Sequence, residues 1–208
     1  HGVLNSDNIN VTGESFDYGP WRFAPTWQPG FTAAYFDHAG LYAFGRQPEA
    51  IHWDVVQLAS ALRLIAEVEP MVERIDTFGA RYQAALTDRI LWRLGVVPRG
   101  PAEDIALVQA IEAALVATGE SIDRFFFDWM GGCERTPYTD PGWQPLRAAL
   151  AGYAPARTLD HAYWSGDPCS MLIDEVESIW DRIATDDDWS AFETKIAAIR
   201  SMGDALRG

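Results

Sequence analysis

Apolar residues recur at helical spacing from residue 47 to the end of this chain, and hardly at all before it. Ile51, Val55, Leu58, Leu62 and Ile65 form one stripe, opened by Pro48 in a first turn and stopped at Glu69-Pro70. Val72, Ile75, Phe78, Tyr82, Leu86, Ile90 and Leu94 predict a second, longer helix that ends at Gly95 and Pro98. Pro101 opens a third, carrying Ile105, Val108, Ile111 and Leu115 and closed by Gly119. Ser121 reads as an N-cap for a helix through Phe125 and Trp129 that stops at Gly131-Gly132. Residues 133–166 are mixed, with a short helix through Leu146 to Leu150. Asp167-Pro168 then opens a helix with Met171, Val176, Ile179 and Ile183. Trp189, Phe192, Ile196 and Ile199 make the last stripe, preceded by the acids Asp186 to Asp188, which suit the positive end of its dipole.

Residues 1–46 differ in kind, being rich in Gly, Pro and aromatic residues. Asn8 to Asp17 alternates and turns at Gly13, which predicts a β-hairpin bringing Asn8 and Asp17 to one end. Trp21, Phe23, Trp27, Phe31, Tyr35 and Phe36 are irregularly spaced, and are expected to pin a long loop by burying their rings rather than to shape a substrate groove. The fold class is therefore mainly α with a small N-terminal β-hairpin. Residues 1–46 would carry the chemistry and residues 47–208 a helical body, within one domain.

The candidate chemistry lies at the start. Protein kinases have a His-x-Asp heading a catalytic loop, an Asn later in it, and then an Asp-Phe-Gly whose Asp holds magnesium. Here His1 falls on the kinase His, Asn8 on the metal-binding Asn, and Asp17-Tyr18-Gly19 on the Asp-Phe-Gly. Val3 stands where a kinase has its base, and another acid, Asp7, sits beside Asn8. Mg²⁺ takes oxygen ligands, which an Asn carbonyl and an Asp carboxylate supply. Each piece alone is more often a turn or a cap. The pieces in order are specific.

The segments HGVLNSDN, FDYGP and PGFTAAYFDHAGLYAFGRQPEAIHW, with Tyr42, Phe44, Gln47, Pro48 and Trp53, resemble the selenoprotein O family of kinase-like proteins. That resemblance implies a kinase-like C-lobe and transfer of AMP from ATP to Ser, Thr or Tyr hydroxyls of proteins. It implies Asp7 as the catalytic carboxylate, and Asn8 and Asp17 as ligands of Mg²⁺ (or Mn²⁺) and of the nucleotide it bridges. The family's Asn-Pro…Arg-Asn segment and Cys-Ser-Ser-like ending are not found here, so control through a terminal Cys is not expected.

The sequence has no G-x-G-x-x-G and no Gly-Lys-Ser/Thr, and its one lysine, Lys195, lies late in a helical stretch. The expectation is a C-terminal fragment whose partner is the missing N-terminal lobe of the same protein, inactive by itself. The rival is a non-catalytic pseudokinase-type helical interaction module.

Composition narrows the setting. Sixteen basic against 30 acidic side chains give a net charge of −14, which disfavours nucleic acid and anionic membranes. Cys133 and Cys169 make no disulfide framework, and the chain reads as cytoplasmic, of bacterial type. His38, His52 and His161 lack metal-ligand spacing and read as structural or exposed. No apolar run is long enough for a transmembrane helix.

Overall fold

The structure, a computed structural model, describes residues 2–14 and 22–207. It is mainly helical. Eight α-helices are found among the described residues: α1 Gln47–Leu62, α2 Glu69–Asp76, α3 Phe78–Leu94, α4 Pro101–Thr118, α5 Ile122–Asp128, α6 Gln144–Leu150, α7 Ile173–Asp186 and α8 Ser190–Arg207. None is long and apolar enough to cross a membrane. The chain forms two compact units, one of residues 1–24 and 28–85, the other of 25–27 and 86–208.

In the first unit, the described residues show the turn of the predicted hairpin. Gly13 N–H donates to the Asn10 carbonyl and Asn10 N–H to the Glu14 carbonyl, both at 2.8 Å. Gly13 sits at φ 84°, a left-handed conformation that a side chain would strain. No sheet is found among the described residues, and residues 15–21, which would form the returning strand, lie outside them. Helix α1 ends at Leu62, so Ile65, expected on its stripe, falls in the following turn and is 84% exposed. Glu69-Pro70 starts a helix instead of stopping one, since Pro lacks only the N–H that a first turn leaves unused. The stripe expected as one helix from Val72 to Leu94 is split at Thr77. The Thr77 hydroxyl donates to the carbonyls of Glu73, at 2.8 Å, and Arg74, at 3.3 Å, closing α2 before α3 begins. His52 stacks on Phe78 with centroids 4.7 Å apart, the structural use expected of it. Of the rings expected to be buried, Phe23, Tyr35 and Phe36 are exposed and Trp21 lies outside the described residues.

The second unit holds the core. Leu91 and Leu94 of α3, Leu107, Ile111 and Leu115 of α4, Phe125 of α5 and Leu146 of α6 are buried together. Trp27 packs against this cluster. An aromatic box closes it: Trp143 stacks on Phe125 at 5.7 Å and on Trp129 at 5.9 Å, and meets Tyr138 edge-on at 4.8 Å. Helix ends follow the sequence signals. Gly119 caps α4 in the left-handed region, and Ser121 Oγ accepts the Arg124 N–H at the start of α5. Helix α7 starts at Ile173, so Met171 precedes it and Asp167-Pro168 does not open it. The acid run is divided in use. Asp186 ends α7, Asp187 follows at φ 52°, and Asp188 caps α8 by accepting the Ser190 N–H at 2.9 Å. Cys133 and Cys169 are free thiols, Cys133 exposed.

Candidate nucleotide- and metal-binding loop

Residues 2–8 form a tight loop built from its own hydrogen bonds. Leu4 N–H donates to the Gly2 carbonyl at 2.9 Å and Asn5 N–H to the Val3 carbonyl at 3.1 Å. Asp7 N–H donates to Asn5 Oδ1 at 3.1 Å, an Asx-type turn that puts Asp7 at the loop's crest. Val3, at the position of the kinase base, is buried, so this site is filled by an apolar anchor.

Asn8 is half-buried and fixed at both ends of its residue. Its N–H donates to the Asn5 carbonyl at 3.0 Å, and its Nδ2 donates to the Val3 carbonyl at 3.0 Å. With the amide nitrogen engaged, Oδ1 is the end left to accept or to ligate. A hard cation wants such an oxygen, so this donor fits Mg²⁺. Asp7 is exposed, and its carboxylate makes no hydrogen bond or ion pair among the described residues. The structure thus brings Asp7 and Asn8 together on one loop. Asp17 lies outside the described residues, and among those described no group of three or more His, Cys, Asp or Glu side chains could hold a metal ion.

Two carboxylates of this unit escaped the sequence reading. Asp37 accepts the N–H groups of Leu41, at 2.8 Å, and Tyr42, at 2.7 Å. The Tyr42 N–H above all holds its carboxyl below the usual carboxylate range. This clamp shapes the turn whose Tyr42 carbonyl lies beside Gly2, and so buttresses the loop. An Asp before a Gly-containing turn is the signal that could have marked it. Asp54, on α1, is buried with neither oxygen hydrogen-bonded, and burial pushes its carboxyl up. Nothing in helical periodicity distinguishes such an acid from an exposed one.

Lys195 is spoken for in the second unit. Its Nζ pairs with Glu175 Oε1 at 2.5 Å and donates to the Ser170 carbonyl at 2.8 Å. The single lysine of the chain is therefore a tie between α7, α8 and the segment before them.

Residues 1–140 match the family described as protein adenylyltransferase SelO. Among curated proteins, the chain is similar to one named protein nucleotidyltransferase YdiU from Gloeobacter violaceus, 31% identical over 219 residues, covering 96% of this chain and 45% of that protein. A protein of the same name from Synechococcus sp. is 31% identical over 231 residues, covering 98% and 47%. Another, from Trichodesmium erythraeum, is 31% identical over 210 residues, covering 92% and 44%. The chain spans about half the length of the curated relatives it matches. The loop Gly2–Asn8 and the match over residues 1–140 place this chain in the SelO family.

Proposed function

We propose that this chain is the C-terminal, kinase-like lobe of a protein adenylyltransferase, and that the full-length protein transfers AMP from ATP to Ser, Thr or Tyr hydroxyls of protein substrates. The observation that carries the reading is the Asn8 side chain, whose nitrogen is tied to the Val3 carbonyl so that its oxygen is the free end. Asn8 and Asp17 would hold Mg²⁺, or Mn²⁺ in its place, and through it the nucleotide. The metal, when bound, neutralises charge on the phosphates. Asp7, on the crest of the loop, would accept the proton of the attacking hydroxyl. The hydroxyl oxygen forms the new bond to the α-phosphorus, and the bond to pyrophosphate breaks. Val3 would keep the loop seated by burial, and Asp37 would keep its buttress in shape. Catalysis of this kind is mostly positioning and electrostatics.

The isolated chain is expected to be inactive. Its sequence contains no Gly-rich phosphate loop, and its only lysine is committed to Glu175 and Ser170. The missing N-terminal lobe would supply that half of the site. Free thiols at Cys133 and Cys169 suit a cytoplasmic setting.

The test is transfer of labelled AMP in the presence of Mg²⁺ by the full-length protein, its Asp17→Ala and Asp7→Ala variants, and this chain alone. Transfer by the full-length protein, lost in both variants and absent from the isolated chain, is the expected result. Transfer that survives Asp17→Ala would remove Asp17 from the site. No transfer by the full-length protein toward any protein substrate would favour the non-catalytic interaction module.

A further inference from the structure

Helices α7 and α8 lie beyond residues 1–140, the stretch that the family model matches, and they are built to be covered by something. Helix α7 has no buried residue, and α8 has only Ala205. Both are amphipathic, yet Trp180 of α7, Trp189 in the turn between the helices and Phe192 of α8 face water, 62%, 48% and 41% exposed. Large rings left in water at one helical hairpin mark an interaction surface.

The rings are held ready. Trp189 Nε1–H donates to Asp187 Oδ1 at 2.9 Å, and its ring meets Phe192 edge-on at 5.7 Å. The turn below them is fixed from both sides. Asp188 accepts the Ser190 N–H of α8 at 2.9 Å and pairs with Arg182 of α7 at 2.5 Å. The Ser190 hydroxyl and N–H, with the Arg182 guanidinium, hold the Asp188 carboxyl down to about 2. A surface fixed in advance loses little conformational entropy when a partner binds.

Charge then selects the partner. From Ile173 to Glu193 there are eight acidic side chains and one basic, Arg182. Glu175 and Asp188 are answered by Lys195 and Arg182. Asp174, Glu177, Asp181, Asp186, Asp187 and Glu193 have no ion pair among the described residues. Glu177 stands three residues before Trp180, and so beside it on the helix surface. A second copy of this chain would set like charges against each other. Arginine-rich chain suits the surface, because a guanidinium can stack on an indole while carboxylates surround it.

We propose that the α7–α8 hairpin is a docking surface for a cationic, arginine-rich protein segment, gripped by Trp180, Trp189 and Phe192 within an acidic rim. Calorimetric titration of the chain with a synthetic peptide of alternating Arg and Ala, at physiological salt, tests it. The expected result is saturable binding that the same peptide with Glu for Arg does not show. The double variant W189A/F192A should bind about tenfold more weakly, two lost ring contacts together supplying that factor. All these side chains are exposed, so unchanged helical circular dichroism and melting are expected to confirm folding. Trp180→Ala is the second variant, and should weaken binding on its own. Absence of saturable binding would overturn the proposal. So would binding that falls with salt but is indifferent to the ring variants, which is charge attraction alone. Concentration-dependent dimerisation lost in W189A/F192A would overturn it too, by making a second copy the occupant.

Discussion

The two units of this protein are organised in opposite ways. The unit of residues 86–208 buries Trp129, Trp143, Phe125, Leu94, Leu107, Ile111 and Leu115 almost completely. Among the described residues of the other, only Val3, Ala34 and Ala43 are buried apolar side chains, and Asp54 is a buried acid. Leu64 and Ile65 there stand 81% and 84% exposed. The unit with the packed interior carries none of the candidate chemistry. The unit with the candidate chemistry has little interior of its own, and shapes its loops by hydrogen bonds such as those of Asn8 and Asp37. Hydrophobic burial scales with apolar area removed from water, so stability should be concentrated in the second unit and the first should be soft. Precise placement of Asp7 and Asn8 then depends on polar contacts that burial does little to reinforce.

The largest effect that tests this contrast is expected at Trp143. Its ring contacts Phe125, Trp129 and Tyr138, and all four lie in one cluster. Trp143→Ala removes the centre of that box and should cost about 3–5 kcal/mol, as large-to-small core changes do. Chemical denaturation followed by tryptophan fluorescence would measure it. A loss below about 1 kcal/mol would mean the core can collapse around the gap, and that the contrast is overstated.

Much of the packed unit was legible in the sequence, and the reasons are local. Gly119 and Ser121 mark helix ends through backbone conformation and a side-chain cap, both properties of one or two residues. The stripes of α4 and α5 point to the core because both helices are surrounded by apolar partners. The less packed unit defeated the same signals. The stripe from Val72 to Leu94 runs through Thr77 without a break in lettering, and the break comes from a hydroxyl turning back onto Glu73. Pro70 gave a breaker signal at a position where Pro begins helices as readily as it ends them. The loop that carries Asp7 and Asn8 was marked by its resemblance to a family signature, and the structure puts both residues on one hydrogen-bonded turn. Asp37 and Asp54 were not, since what matters in each is who surrounds the carboxylate.

The middle-sized effect has the opposite sign and belongs to the soft unit. Asp54 is buried with both oxygens unbonded, and desolvation raises its carboxyl. A group whose folded value lies above its unfolded value holds protons more tightly when folded. The penalty for burying its charge is full above the raised folded value, fades as pH falls through it, and is gone below the ordinary carboxylate value. Asp54→Asn should therefore stabilise this chain by about 1–2 kcal/mol at pH 7. Melting curves of the two proteins should converge as pH is lowered toward the carboxylate range. A destabilised variant at pH 7 would show that Asp54 has a partner whose attraction outweighs the cost of burial.

The smallest effect sharpens the contrast most directly. Ile65 is as apolar as any core residue, yet it lies in the turn after α1 and is 84% exposed. Folding removes little of its surface from water, so Ile65→Ser gives up almost no transfer free energy and opens no cavity. Its expected effect is within about 0.5 kcal/mol, the range of ordinary surface changes. Thermal melting of the variant beside Trp143→Ala puts the two units on one scale. Equal losses would mean that the turn after α1 is packed in solution and that the first unit has an interior. A near-zero change at Ile65 with collapse at Trp143 places the chain's cohesion in the helices from α3 onward, and leaves the Asp7–Asn8 loop dependent on hydrogen bonds for its shape.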